Sequence, residues 1–353
     1  MEELVSTTRK SIKKSTLMFM ISMMAITLVF MVAVLIVTVS YFLRKEKEPT
    51  GVMLASGEAI YTEEELNALV SEKEDAAREE LLMNIKGSIQ EGRSIVGILR
   101  ELYPEQIVIS ASGKYHIFDV NENLEPNPYA NEKFQLNEDG VIEYCDETII
   151  SKKGIDVSKF QGDINWNEVK RDGVEYAFIR MGYRGYGTAG KIVTDDNFEK
   201  NIEGATENEI DVGVYFFSQA INEEEAIEEA NYVLEAIAGY NVNYPVVIDI
   251  EEVTDKGART KDMTKEDWTK VCIAFCETIK EAGYTPMVYG NLKTFFIMLD
   301  MEQISMYDKW FAQYDTSVYF PYEFKIWQYS DSGSVNGISS AVDMNVSFYE
   351  PEN

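Results

Sequence analysis

Short apolar runs alternate with amphipathic stretches over the C-terminal part of the chain. Eight of these runs predict β-strands, at residues 153–158, 175–181, 211–217, 245–251, 285–289, 309–314, 324–329 and 340–346. A helical pattern follows each of the first five, near residues 165–172, 196–209, 222–238, 264–283 and 292–305, whereas the last three strands leave little room for helices. Because alternating strands and helices form parallel barrels, residues 151–353 are predicted to be an α/β domain, an irregular (β/α) barrel of eight strands and about five helices.

The preceding residues have other patterns. Residues 15–43 contain no charged side chain, and this run exceeds the ~20 apolar residues that span a bilayer. We predict a transmembrane helix at 15–43 after a cytoplasmic N-terminus at 1–14; a signal peptide fits less well, because its apolar core has only about 7–15 residues. Residues 44–103 are predicted to form a linker and a helical stalk, with one helix over 62–90. The apolar stripe of that helix leaves a homodimer through the stalk open, although Lys73 interrupts it.

Residues 104–150 are predicted to be a small β-rich segment. Two pairs of alternating runs flank turn-forming residues at 112–114 and 137–140, which is typical of hairpins. The segment includes His116, which we interpret as structural, and its pattern assigns it no function.

Composition narrows the chemistry that the barrel can perform. His116 is the only histidine, and the three cysteines form no CxxC pair, so the barrel region has no Ser-His-Asp site, Cys-His site or histidine-containing zinc site. We therefore expect no metal and no cofactor. The formal net charge of −29 argues against a nucleic-acid partner, because little basic surface is available to neutralise phosphates. Catalysis would then depend on Asp, Glu, Tyr or Lys.

The run from Tyr244 to Glu251 is the most informative part of the barrel region. Its β-branched residues are typical of a buried strand, and it ends in two acids, Asp249 and Glu251. Alternate residues of a strand point the same way, so these side chains share one face with Cα atoms roughly 6.6 Å apart. Their repulsion raises one pKa, so one carboxyl can donate a proton while the other stays charged. Such a pair suits glycosidic bond hydrolysis; the alternative is an ordinary pair of exposed acids at a strand end.

Barrels of this class carry their active site at the carboxyl ends of the strands. The predicted strand ends combine acids with aromatic and amide side chains, which suit the apolar faces and the hydroxyl groups of a sugar. The candidate residues are the acids Asp156, Asp249, Glu251 and Asp343 and the substrate-binding residues Arg180, Tyr183, Tyr215, Tyr289, Gln313, Tyr314, Trp327 and Gln328. The glycine-rich segment 182–190 lacks the Gly-Lys-Ser/Thr ending of a phosphate-binding loop, and we interpret it as a mobile active-site loop.

Several of these motifs occur together in one known family. Residues 153–349 resemble the glycoside hydrolase family 25 lysozymes, the peptidoglycan N-acetylmuramidases. The resemblance follows the order of the chain, through Gly154-Ile155-Asp156-Val157-Ser158 with Gln161-Gly162, Gly213-Val214-Tyr215-Phe216-Phe217, Val247-Ile248-Asp249-Ile250-Glu251, Ala312-Gln313-Tyr314, Trp327-Gln328-Tyr329 and Val342-Asp343-Met344-Asn345.

The resemblance implies roles for the four acids. Glu251 would protonate the leaving glycosidic oxygen, while Asp249 would stabilise the oxocarbenium-like centre or orient the substrate's N-acetyl group for attack. Asp156 and Asp343 match the two other active-site acids of the family. Many members have Tyr-His-Phe where this chain has Tyr215-Phe216-Phe217, so a subsite detail differs. The i, i+2 spacing does not decide between retention and inversion, and substrate-assisted retention is our working hypothesis.

The function implied is that of a membrane-tethered lysozyme. It would hydrolyse the β-1,4 bond between N-acetylmuramic acid and N-acetylglucosamine in peptidoglycan, for remodelling of the producer's cell wall. Because peptidoglycan lies outside the membrane, we expect a single pass through the lipid bilayer at 15–43 and an extracellular barrel. The alternatives are a non-catalytic wall-binding scaffold and a glycosidase for another N-acetylated glycan such as chitin. That all four acids are present favours an enzyme.

Overall fold

The computed structural model describes Val32 and residues 63–351. They belong to two compact units, Met1–Ile98 and Leu99–Asn353. In the first, the predicted stalk helix is confirmed as α1 (Glu63–Gln90), which is followed by α2 (Ile95–Leu102) across the division. Helix α1 exposes apolar side chains at Val70, Leu81, Leu82, Met83 and Ile89, and a homodimer through it stays a prediction.

Among the residues that the structure describes, no helix has both the length and the apolar character needed to cross a bilayer. The predicted transmembrane segment at 15–43 lies outside these residues except for Val32, and so does the predicted linker before residue 62.

The second unit contains two small hairpins and a barrel. The elements, in chain order, are β1 (Gln106–Ala111), β2 (Lys114–Asp119), β3 (Phe134–Leu136), β4 (Ile142–Tyr144), β5 (Lys152–Val157), α3 (Trp166–Arg171), β6 (Tyr176–Arg184), β7 (Ile192–Thr194), α4 (Phe198–Glu207), β8 (Asp211–Ser218), α5 (Glu223–Ile237), β9 (Val246–Ile250), α6 (Lys265–Glu281), β10 (Pro286–Asn291), β11 (Asp308–Ala312), β12 (Ile326–Gly333) and β13 (Val342–Ser347).

The eight predicted barrel strands are confirmed as β5, β6 and β8 to β13. They lie in the order β5-β13-β12-β11-β10-β9-β8-β6, and pairing of β5 with β6 closes the barrel. The prediction of a fully parallel barrel is wrong for the last strand, since β13 runs antiparallel to both β12 and β5. A parallel connection needs a crossover of a dozen or more residues, and the segment 334–341 is too short to provide one.

The helices follow the predicted positions, with one exception. Within residues 152–347, α3, α4, α5 and α6 occupy the first four predicted sites. At the fifth, predicted at 292–305, the structure has the short π-helix Thr294–Met298 followed by turns. One strand was missed: β7 forms an antiparallel hairpin with the end of β6.

The lower half of the barrel interior is filled by aromatic rings. Glycines on neighbouring strands make room for them: a Cβ atom at Gly154 would lie 2.1 Å from the Tyr176 ring, and one at Gly213 would lie 2.3 Å from the Phe178 ring. Phe178 in turn stacks on Trp310 with ring centroids 4.4 Å apart. This packing excludes water below the barrel mouth.

Residues 104–150 pack on the flank of the barrel where helices are missing. Both predicted hairpins are confirmed, as β1–β2 and β3–β4. Phe134 of β3 contacts Trp327, which points outward from β12, with ring centroids 5.0 Å apart. The side chain of Asn131 donates to the carbonyl of Val318 and accepts from its amide. The segment therefore covers the helix-free flank and belongs to the same compact unit as the barrel.

This packing generates a stability prediction. Phe134 is 7% exposed, and we expect Phe134→Ala to lower the free energy of unfolding of this unit by about 3–5 kcal/mol, because it opens a cavity against Trp327. Leu136→Ala on the same strand is the control, since Leu136 is 53% exposed and should change stability by less than about 0.5 kcal/mol. Urea denaturation of the purified chain measures both. Equal effects of the two changes would contradict the covering role.

Candidate active site

Two of the predicted acids meet across neighbouring strands at the barrel mouth. Asp156 of β5 and Asp343 of β13 are direct partners in the antiparallel register, so their side chains lie on the same face. Burial raises the pKa of Asp156, although hydrogen bonds from neighbouring amides oppose the shift. Burial and the charge of Asp156 raise the pKa of Asp343 to about 8. Asp343 therefore holds its proton to higher pH than an ordinary carboxyl group, and the hydrogen bond between the two carboxyl groups opposes the rise in the pKa of Asp156.

Two amides fix the orientation of Asp156. Its Oδ2 accepts hydrogen bonds from Gln328 Nε2 and Asn345 Nδ2, both at 2.8 Å. The oxygens of these amides accept from aromatic residues: Gln328 Oε1 from the hydroxyls of Tyr289 at 2.8 Å and Tyr314 at 3.1 Å, and Asn345 Oδ1 from Trp310 Nε1 at 2.8 Å. Because each amide oxygen is occupied, each amide nitrogen must face Asp156. The network favours an ionised Asp156.

Asp249 and Glu251 form the second pair of acids. Asp249 lies in β9 between Phe217 of β8 and Tyr289 of β10, and Glu251 directly follows the strand. Asp249 is 6% exposed, and its Oδ1 atom is buried without a hydrogen-bond partner. Burial and the charge of Glu251 raise the pKa of Asp249, and burial and the charge of Asp156 raise that of Glu251. A proton is therefore retained in this pair above the usual carboxyl range.

Arg180 is the cation whose charge lowers the pKa of Asp249. It opposes the rise in the pKa of Asp249, but its own charge is largely matched by Asp195, which accepts from Nε at 2.8 Å and from Nη2 at 2.6 Å. Its guanidinium also lies 4.9 Å from the ring centre of Phe160 and 5.8 Å from that of Tyr183. Tyr215 pairs with Arg180 in the strand register and contacts Trp310 edge-on.

A buried amide holds the backbone at Glu251. Gln219 is fully buried, and its Nε2 donates to the Glu251 carbonyl at 3.3 Å while its Oε1 accepts from the Thr260 hydroxyl at 3.1 Å. Arg259 donates to the Gln219 carbonyl and forms an ion pair with Glu225 of α5. The position of Glu251 therefore depends on α5 and on the loop that contains Arg259.

The glycine-rich segment 182–190 lies in a hairpin, and its mobility stays a prediction. Its first residues extend β6 and pair with β7. Arg184 is buried, forms ion pairs with Glu228 and Glu229, and donates to the Gly190 carbonyl at 2.8 Å. The Arg259 amide donates to the Tyr186 carbonyl at 2.8 Å. The side chain of Tyr186, half exposed, extends from this hairpin towards solvent, and Thr188, Ala189 and Lys191 are exposed as well.

Two predicted substrate-binding residues lie away from the mouth. Trp327 is fully buried on the outer face of β12, because the strand alternates and its neighbour Gln328 faces inward; its Nε1 donates to the Gln313 carbonyl. The Gln313 side chain donates to the Ser317 carbonyl and accepts from the Tyr319 amide, so it stabilises its own loop. Phe216 is likewise fully buried in the outer core and does not line the mouth.

Several residues of the site were missed by sequence reasoning. The sequence could have identified Asn345, because it lies two residues after Asp343 and therefore on the same face of the strand. Trp310 had a weaker signal, as an aromatic residue in a predicted strand. Asp195 and Gln219 had no signal, because they reach the site through the β6–β7 hairpin and the β8–α5 junction. Among residues 63–351, no group of His, Cys, Asp or Glu side chains is arranged to hold a metal ion.

The carboxyl groups of the site therefore retain protons to higher pH than ordinary carboxyl groups do, in a water-poor aromatic setting. A carboxyl group that stays protonated near neutral pH can protonate a leaving oxygen, and an adjacent carboxylate can stabilise positive charge at the bond being broken. This pair of functions, at the mouth of an eight-stranded barrel, is typical of glycoside hydrolases.

Comparison with known proteins identifies the family within that class. The model for "Glycosyl hydrolases family 25" matches residues 155–338, just over half of the chain. The chain belongs to this family, and the predicted class of enzyme, a glycoside hydrolase, is confirmed.

Relatives and a solved structure agree with this assignment. The chain is 27% identical to the autolytic lysozyme of Clostridium acetobutylicum over 202 residues, 55% of each chain. It is 29% identical to lysozyme M1 of Streptomyces globisporus over 204 residues, 55% of this chain and 66% of that protein. The autolysin LytC from Streptococcus pneumoniae, solved in complex with a synthetic peptidoglycan ligand, superposes with a TM-score of 0.52 at 26% identity, over 69% of this chain and 56% of that one.

The shared proton of Asp156 and Asp343 generates a prediction on pH. The pKa of Asp343, about 8 in the folded state, exceeds the unfolded value of about 3.9, so the folded chain holds a proton that the unfolded chain releases. The free energy of unfolding should therefore fall as pH rises from about 4 through about 8. We expect Asp343→Asn to flatten this dependence, measured as melting temperature between pH 5 and 9 at constant ionic strength.

The control is Asp139→Asn, which removes the same charge at an exposed turn. It should leave the slope of the wild-type curve unchanged. A curve for Asp343→Asn that runs parallel to the wild-type curve would show that the proton is not held at this pair.

Proposed function

We propose that this chain is a muramidase that hydrolyses the β-1,4 bond between N-acetylmuramic acid and N-acetylglucosamine in peptidoglycan. The observation that carries the proposal is the two pairs of carboxyl groups with raised pKa values at the mouth of a family 25 barrel. The names of the two lysozyme relatives and the peptidoglycan ligand of the autolysin structure support the choice of substrate.

In this proposal Glu251 is the general acid. It is partly exposed to the mouth, and burial together with the charge of Asp156 raises its pKa, so it retains a proton for the leaving oxygen to higher pH than an ordinary glutamic acid does. The neighbouring Tyr289 hydroxyl is engaged by Gln328 and leaves the Glu251 carboxyl available to substrate.

Asp249 is proposed to orient the acetamido group of the substrate. Its buried Oδ1 has no hydrogen-bond partner within the described residues, and an N–H donor from the substrate would satisfy it. The acetamido oxygen could then attack the anomeric carbon, which gives retention without an enzyme-bound sugar. Asp156 and Asp343 stabilise the developing positive charge through the ionised member of the pair.

The first test is hydrolysis of purified peptidoglycan by the full-length chain. We expect reducing ends of muramic acid from the wild type, and Glu251→Gln to lower the rate by about a hundred- to ten-thousandfold. Glu281→Gln, an exposed acid at the far end of α6, is the control of equal charge. Reduction of the released fragments and identification of the terminal sugar measure the product, and NMR of the first product measures its anomeric configuration.

Each other outcome selects a different hypothesis. Glucosamine ends would indicate a glycosidase that cleaves the other glycosidic bond of the glycan. An inverted first product would overturn the role of the acetamido group. Binding without any new ends would favour a non-catalytic wall-binding scaffold, and cleavage of chitin in preference to peptidoglycan would favour another glycan.

We further propose that residues 15–43 anchor the enzyme in the cell membrane with the barrel outside. The uncharged run and the basic residues Arg9, Lys10, Lys13 and Lys14 before it support a cytoplasmic N-terminus. An anchored enzyme acts near its own membrane, which favours remodelling of the producer's wall.

The proposed topology predicts that protease treatment of intact cells removes the barrel. The expected result is loss of an epitope placed at the C-terminus, while a cytoplasmic marker protein stays intact. Full protection of that epitope, with digestion only after lysis, would contradict an extracellular barrel.

A further inference from the structure

The turn of the first hairpin lies at the barrel mouth. Strands β1 and β2 are joined by Ser112 and Gly113, both with positive φ, at 51° and 73°. These values give the tight two-residue turn that matches the twist of paired strands. We name residues 111–114 the hairpin tip.

A lysine connects the hairpin tip to the site. The ammonium of Lys293, two residues after β10, forms an ion pair with Glu252 and lies 3.3 Å from Ser112 Oγ. Glu252 is adjacent in sequence to Glu251. The tip is therefore within two hydrogen bonds of the residue that follows the proposed general acid.

The hairpin is held in this position by its base. Phe118 of β2 packs against Phe296 of the π-helix with ring centroids 5.6 Å apart. The Tyr319 hydroxyl accepts from the Val108 amide at 3.0 Å and donates to the Gln106 carbonyl at 3.1 Å. Since both ends of the hairpin contact the barrel, its tip forms a fixed wall beside the mouth.

The hairpin tip carries a cation whose charge is not matched nearby. Lys114 is the register partner of the buried Ala111, so its side chain leaves the hairpin on the face turned to the barrel, and it is exposed. Within the described residues Lys114 has no salt bridge, whereas Lys293 is paired with Glu252 and Arg180 with Asp195.

We propose that the hairpin tip is a wall of the substrate cleft and that Lys114 binds a carboxylate of the peptide carried by muramic acid. The proposal rests on the proposed muramidase function and assigns a specificity-determining role to residues before the family 25 region. A cleft lined by four acids repels an anionic substrate, and a local cation at its edge offsets that repulsion. Lys114 would select glycan strands that still carry their peptides.

The experiment compares two substrates for the full-length chain: intact glycan strands and the same strands after an amidase has removed the peptides. We expect Lys114→Ala to raise KM for the intact strands about threefold with kcat unchanged, as is typical of an exposed ion pair, and to leave KM for the stripped strands unchanged. Lys114→Glu should raise KM further, and Lys114→Arg should restore it. Added salt should narrow the difference between wild type and Lys114→Ala.

The matched control is Lys280→Ala, which removes an exposed lysine in the last turn of α6. It should not change KM for either substrate. Unchanged kinetics of Lys114→Ala on intact strands, or an equal rise in KM on both substrates, would overturn the proposal. A wild type that cleaves both substrates equally well would also overturn the proposal. If the wild type cleaves neither substrate, the muramidase function itself fails, which is a distinct result.

Discussion

The pairing of Asp156 with Asp343 across two antiparallel strands is the constraint on which the site depends. Asp156 lies near the end of β5 and Asp343 near the start of β13. Only because β13 runs in the opposite direction do these positions meet at the same end of the barrel. Two carboxyl groups in such contact resist ionising together; the two amides that face Asp156 favour its charge, while burial and the charge of Asp156 raise the pKa of Asp343. The aromatic rings below exclude water and raise these pKa values further.

The helices missing after the last barrel strands also affect how the barrel is covered. Strands without crossover helices would expose an apolar flank, and residues 104–150 cover it with Phe134 and the hairpins. The compact unit that contains the barrel also includes residues 99–150, which precede the strand pattern and the family resemblance. Covering the flank also brings a hairpin to the mouth, so a segment without catalytic acids of its own contributes to the surface there.

Sequence reasoning recovered the barrel strands and brought the four acids to one end of the barrel, because strand periodicity and strand ends are local properties. It did not recover the direction of β13, since the apolar pattern of a strand is the same in both directions. Trp327 was misplaced because an aromatic residue beside a polar one does not reveal which of the two faces inward. Gln219 and Ser112 reach the site through loops that no periodic pattern describes, and the hairpin at 182–194 depends on the ion pair of Arg184 with Glu229.

The electrostatic balance of the mouth explains why its carboxyl groups retain protons to higher pH than ordinary carboxyl groups do. The cations around the site are used by the fold: Arg180 binds Asp195, Arg259 binds Glu225, and Lys293 binds Glu252. Burial raises the pKa values of Asp249 and Glu251, and little positive charge is left to oppose the rise, so a proton remains available for the leaving group. The same lack of free cations disfavours an anionic substrate. A binding surface for such a substrate must therefore supply its charge at the edge of the mouth, far enough from the acids to leave their proton in place.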